Sequence, residues 1–201
     1  MDPDGRIIKI YFTVGDKQYA WSFNGSNYKT APDNQFVKDF LKAYDYNKRN
    51  GGGDNLIEAA TSKDTYHLAE TKGDSKYTQE SIDGSGKSTP IVRWNPARGL
   101  ETTDMKAVLS PATILEHEYA HAVDDNENST EHEKRANIPD FRRTNKEEDR
   151  VITGAEAKTA RANGEFKSNY VRSNHDGYSV FVSDPTSNEV IFYYEIPKSK
   201  K

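Results

Sequence analysis

The chain has 201 residues, a formal net charge of −4 and no cysteine, so disulfides and thiolate metal sites are excluded and any metal must rest on histidine and carboxylate. The mildly acidic balance gives no strong pull toward nucleic acid or an anionic membrane, no apolar run reaches membrane-spanning length, and the first residues lack the charged-then-apolar pattern of a signal peptide. Hydrophobic residues make up 33%, with 12 Tyr and 2 Trp among them, enough for the core of one domain, expected over residues 6–201.

Ile8, Ile10, Phe12 and Val14 alternate with less apolar neighbours, Gly15-Asp16 turns the chain, and Tyr19, Trp21 and Phe23 alternate again, which predicts a β-hairpin. Asp33 or Asn34 caps a helix whose stripe is Phe36, Val37, Phe40, Leu41 and Tyr44, stopped by Gly51-Gly52-Gly53. Asp54 starts a shorter helix through Ile57 and Ala60. From Ser62 to Thr89 the composition is polar, predicting a short strand at Tyr66 to Ala69 and then a mobile loop containing Asp83-Gly84-Ser85-Gly86. Pro90 to Pro96 has strand composition bounded by prolines and is expected as an edge strand, either placed to pair with an extended peptide or an ordinary edge strand with a core Trp.

Ser110-Pro111 then opens a helix containing His117-Glu118-Tyr119-Ala120-His121. Ser110 suits the cap and Pro111 the first helical position. The two histidines fall one turn apart on one face, where they can hold one Zn²⁺, and Glu118 leans toward the open coordination position as a general base. Asp124 to Lys146 is charged and reads as a solvated loop, with His132 as a surface histidine. Helix resumes from Glu147 to Ala162. A second hairpin follows, Tyr178 to Val182 and Val190 to Ile196, and the end from Lys198 is expected to fray.

Two histidines need a third ligand, and no further histidine follows at the spacing that a three-histidine motif requires. On a 3.6-residue wheel Glu148 shares a face with Val151, Ile152, Ala155, Thr159 and Ala162, where a metal would compensate its burial. Glu148 is therefore the expected ligand, with Glu147 and Glu156 as alternatives. Dipole complementation at a helix start is the other account of Glu147, and a hydrogen bond to a ligating imidazole the other account of Glu156.

The strand at Trp94-Asn95-Pro96, the Ser110-Pro111 helix with its two histidines, and Glu147-Glu148 followed by Val151 and Glu156 resemble the NleD-like effector zinc metallopeptidases, over residues 90–178. The Glu147-Glu148 pair is also similar to one in clostridial neurotoxin light chains, where the second Glu is a metal ligand. Asp2-Pro3-Asp4-Gly5-Arg6 resembles the junction that ends the core of RHS-repeat proteins, which sets residues 1–5 apart and makes Met1 a start placed ahead of it. Together these resemblances imply an α+β, zincin-like metallopeptidase with an active-site helix, a second ligand helix, and a small mixed or antiparallel sheet with hairpins at both ends. They imply a secreted toxin or effector domain, carried into a target cell by a larger protein, cleaving a protein there and possessing a cognate immunity protein. Arg172, His175 and Tyr178 form the available oxyanion cluster, Arg172 and Tyr178 foremost, since family members carry an Arg in this neighbourhood; a solvated turn before a hairpin accounts for them equally well. The rival from another class is a non-catalytic module stabilised by zinc at the end of an RHS-type secreted protein.

Overall fold

Alternation of apolar and polar residues builds the first hairpin, β1 (Ile7–Val14) and β2 (Lys17–Phe23), closed with Val14 opposite Lys17. Gly15 in the turn has φ of 61°, a conformation glycine adopts without penalty. The computed structural model describes residues 7–80 and 89–193. The expected RHS-type junction, the Asp83 to Gly86 loop and the chain from residue 194 lie outside them.

Ile8, Ile10 and Phe12 turn their side chains to one face of β1 and are buried beneath α1 (Gln35–Asn50) and α2 (Asp54–Thr61). Asn34 caps α1 by accepting the Val37 N–H, and Gly51, at φ 84°, ends it. Phe36, Phe40 and Tyr44 form its inner stripe, and the rings of Phe40 and Tyr44 meet Phe23 edge-on at 5.4 and 4.9 Å. The chain returns as β3 (Thr65–Glu70), parallel to β1, then β4 (Lys76–Glu80) and β5 (Thr89–Trp94). The five strands run in the order β2-β1-β3-β5-β4, with β4 antiparallel to β5.

Two expectations change here. The Pro90 strand is an inner one, flanked by β3 and β4, and the edge is β4, drawn from a segment read as loop. Pro90 is tolerated because β3 pairs only with Val92 to Trp94, so its missing N–H interrupts no ladder on that side. Little in the sequence marks this edge strand, because Lys76 to Glu80 has a single partner strand and little apolar side chain.

A second sheet, all antiparallel, has the order β11-β10-β6-β7, from β6 (Arg98–Thr102), β7 (Val108–Leu109), β10 (Gly177–Val182) and β11 (Val190–Tyr193). A Cβ on Gly177 would lie 2.6 Å from Leu100 Cδ1 and 2.8 Å from the Glu101 carbonyl, so β10 reaches β6 only with glycine there.

Between the sheets runs α3 (Pro111–Ala136). Ser110 caps it by accepting the Thr113 N–H, and the buried Trp94 indole donates to the Pro111 carbonyl at 2.8 Å, tying the helix start to β5. The helix continues well beyond the loop expected from Asp124, with a break at Asn128 (φ −136°, ψ 42°). Eight regular residues would separate Asp124 from His132 by about 12 Å. Their side chains instead stand 3.1 Å apart, because the break turns the second half of the helix back. A short hairpin, β8 (Pro139–Asp140) and β9 (Thr144–Asn145), leads into α4 (Lys146–Val151), a π-helical turn (Ile152–Glu156) and α5 (Ala157–Ala162). The architecture is thus mixed α+β. Among the described residues no helix is long and apolar enough to cross a membrane.

Candidate metal centre

His117 and His121 are 6% exposed and present Nε2 atoms 3.2 Å apart. Each ring is held from behind by a carboxylate: Nδ1 of His117 lies 2.8 Å from Glu156 Oε2, and Nδ1 of His121 lies 3.2 Å from Glu147 Oε1. With Nδ1–H donating, each Nε2 turns a lone pair to the same point. Glu148 closes the triangle, with Oε2 3.3 Å from His117 Nε2 and Oε1 3.4 Å from His121 Nε2. Its Oε2 is buried and receives no hydrogen bond. Converging lone pairs and a carboxylate repel unless a cation lies among them. Ligands about 2.0–2.1 Å from a tetrahedral ion stand roughly 3.3–3.4 Å apart, so the spacings found suit Zn²⁺, and the donor set of two imidazoles and one carboxylate leaves a position open.

The same proximity acts on protons. Burial would lower the His117 pKa, but Glu148 and Glu156 outweigh it and lift it to about 10. Burial likewise resists ionisation of Glu148, yet the two imidazoles hold its carboxyl far below the usual range.

The π turn explains how Glu148 and Glu156 serve one histidine. On an unbroken α-helix they would point about 80° apart. One extra residue in the turn brings Glu156 back toward the face of Glu148. Arg172, 3% exposed, clamps Glu156 with Nε on Oε1 and Nη2 on Oε2, both at 2.7 Å. Burial works against ionisation of Glu156, but Arg172 and His117 hold its carboxyl at about 2. Arg172 also donates through Nη1 to the His175 carbonyl.

Glu147 is 2% exposed and accepts from Arg135 Nε at 2.7 Å and Arg150 Nη2 at 2.5 Å, besides facing His121. His132, expected at the surface, is drawn into this network, with Nδ1 3.1 Å from Asp124 Oδ2 and 3.3 Å from Glu147 Oε1. His121, His132 and Glu147 form a second grouping of metal-ligating type. Two guanidinium groups already neutralise its carboxylate, which leaves little attraction for a second cation. Arg150, three residues after Glu147, was readable as a helical pair. His132 and Arg135 reach Glu147 only through the break at Asn128, and no local signal announces that.

Glu118 is 7% exposed, and its Oε2 accepts the backbone N–H of Tyr77, on the edge strand β4, at 2.6 Å. The cleft has two lobes, of about 240 and 290 Å³, both bordered by Ser75, His117, Glu118 and His175. His175 stands at the mouth with Nε2 3.5 Å from Glu148 Oε2. Arg172 lines the smaller lobe but is committed to Glu156. Tyr178 borders neither lobe; it is 40% exposed on β10 and faces, with Lys72 and Tyr193, a depression that adjoins the smaller lobe across Asp74, Arg98, Gly177 and Ser179. Tyr119 points away from the cleft into the main core, near Tyr66.

Two histidines and a carboxylate from separate helices around one open position, with a further carboxylate beside it, are the arrangement of metal-dependent hydrolases. The chain belongs to the peptidase M91 family of effector proteins, whose family model matches residues 24–176. No curated protein and no solved structure matches it.

Proposed function

We propose that the protein is a zinc-dependent endopeptidase that acts as an effector on a protein inside a target cell. The observation that carries this reading is the 3.2–3.4 Å triangle of His117 Nε2, His121 Nε2 and Glu148, with Glu118 alongside it. When bound, the ion supplies Lewis-acid polarisation of the scissile carbonyl and acidifies a water. His117, His121 and Glu148 hold it, and Glu156 and Glu147 fix the two imidazoles in the tautomer that ligation needs. The Tyr77 N–H anchors one oxygen of Glu118, leaving the other to take a proton from the attacking water and pass it to the leaving amine.

An extended substrate gains main-chain hydrogen bonds by lying along β4, the strand that the Tyr77 contact brings to the cleft. Of the residues after the ligand helix, His175 is best placed to donate to the developing oxyanion, since it borders both lobes. Arg172 acts through Glu156 as a positioning residue, and Tyr178 has no part in the chemistry. The effector description of the family supports delivery into another cell; the longer RHS-type carrier and the cognate immunity partner rest on the resemblance carried by Asp2 to Arg6 alone.

Glu118→Gln tests the reading. New protein termini found by mass spectrometry in target-cell lysate should appear with wild type and fall by at least about 10²-fold with the variant, while zinc content and thermal stability stay as they were. Equal cleavage or equal toxicity by the variant would leave only a metal-stabilised module.

A further inference from the structure

We propose that the smaller lobe of the cleft receives a substrate side chain with an aliphatic stem and a cationic end, lysine or arginine, beside the scissile bond. This rests on the peptidase reading above. At about 240 Å³ the lobe lies below the roughly 300–1,000 Å³ of sites that enclose a whole small molecule, so its size suits one side chain. It borders His117 and Glu118, and its occupant therefore belongs to a residue next to the reacting bond.

Two features of the lining choose the occupant. Leu100 and Ile114, both half-buried, give it an apolar wall along which a methylene stem can lie. The charges of the remaining wall do not balance. Arg98 Nη1 meets Asp74 Oδ1 at 3.0 Å, and that same carboxylate oxygen also accepts from Ser179 Oγ at 2.9 Å. Arg172 is matched by Glu156. Asp176 lines the lobe, is exposed, and makes no ion pair among the described residues.

With the basic groups of the wall spoken for, Asp176 remains as the charge available to an incoming side chain. A lysine or arginine that lays its stem on Ile114 and Leu100 meets it with opposite sign, whereas a glutamate meets like charge. The larger lobe holds Glu118, Glu147 and Glu148 as well as Lys76 and His132, but its carboxylates are engaged, Glu118 by the Tyr77 N–H, Glu147 by Arg135 and Arg150, and Glu148 by the two imidazoles.

The test uses the zinc-loaded full chain on a library of proteome-derived peptides, with wild type, Asp176→Asn, Asp176→Lys and Glu118→Gln. Wild type should cleave bonds with lysine or arginine enriched at one flanking position. Asp176→Asn should lower the ratio of kcat/KM for a lysine peptide over its norleucine counterpart by about two- to fivefold, the size expected of one exposed ion pair; Asp176→Lys should turn the preference toward glutamate. Binding measured without turnover gives a second readout. In the Glu118→Gln background, fluorescence anisotropy should show tighter binding of the lysine peptide than of the norleucine peptide, and adding Asp176→Asn should remove the difference. Glu118-dependent cleavage without a basic neighbour, or a lysine preference that survives Asp176→Asn, overturns the assignment of this lobe and leaves the peptidase reading standing. No Glu118-dependent cleavage of any peptide overturns both.

Discussion

Glu148 and Glu156 bracket the same imidazole from its two ring nitrogens: Glu148 Oε2 lies 3.3 Å from Nε2 of His117, and Glu156 Oε2 lies 2.8 Å from its Nδ1. One carboxylate stands where a metal ligand would, and the other fixes the ring that would ligate beside it. The π turn separating them makes that division possible, since it restores a common face to residues that a regular helix would splay.

Removing the rear support should therefore weaken the metal site without touching a ligand. Glu156→Gln is expected to lower zinc affinity by roughly 10–100-fold, measured by competition with a chelator. Arg172→Ala should do at least as much, because it leaves the Glu156 carboxylate buried without its bidentate partner. Unchanged zinc affinity in both variants, with only a lower Tm, would reduce the pair to a structural role.

The grouping around His132 should behave differently. Arg135 and Arg150 already neutralise Glu147, so His132→Ala is expected to leave one zinc per chain by native mass spectrometry. A fall from two ions to one would show that the guanidinium groups do not keep a second cation out.

A pH dependence follows from Glu165, which is 8% exposed and is pushed by burial up to about 7, the donors of Ser110 and Thr113 beside it acting in the opposite direction. Its folded pKa stands above its unfolded value, so the folded state holds the extra proton between about pH 4.5 and 7. Stability should fall as pH rises through that window and stay lower above it, by up to about 3 kcal/mol. Glu165→Gln should flatten this component. Tm differences between variant and wild type, taken at pH 5 and pH 8, isolate it from titration at the metal centre; an equal difference at both pH values would contradict it.

Glu116 carries a stability prediction of another kind. It is fully buried one residue before His117, and its carboxylate accepts the N–H groups of Asn55 at 3.0 Å and Leu56 at 2.9 Å. It thereby caps α2 from outside, where Gly53 supplies no side chain. Glu116→Ala should cost about 1–3 kcal/mol, seen as a lower Tm. Glu116→Gln, which keeps one acceptor, should lose less.

The parts of this molecule legible in the sequence were those set by local spacing. The period of two in Ile8, Ile10 and Phe12, the stripe of α1, and the Ser110-Pro111 start of α3 each require only neighbours within a few residues. Glu148 lies on the inner face of a wheel drawn for a regular helix, but the π turn beyond it shifts that face: Glu156, Ala157 and Ala160 are buried while Ala155 and Ala162 are only half-buried. What stayed hidden depends on the path of the chain. His132 looked solvated between Glu131 and Glu133 because its partners are reached through a break in α3. The edge role of β4 follows from the strand order, which its polar sequence does not encode.

The central claim is that His117, His121 and Glu148 surround a single divalent ion, and the most direct measurement is an anomalous-scattering map from crystals of the zinc-loaded protein, recorded on both sides of the zinc edge. The expected result is one peak about 2.0–2.2 Å from His117 Nε2, His121 Nε2 and a Glu148 oxygen. A peak among His121, His132 and Glu147 instead, or none in the cleft, would contradict it.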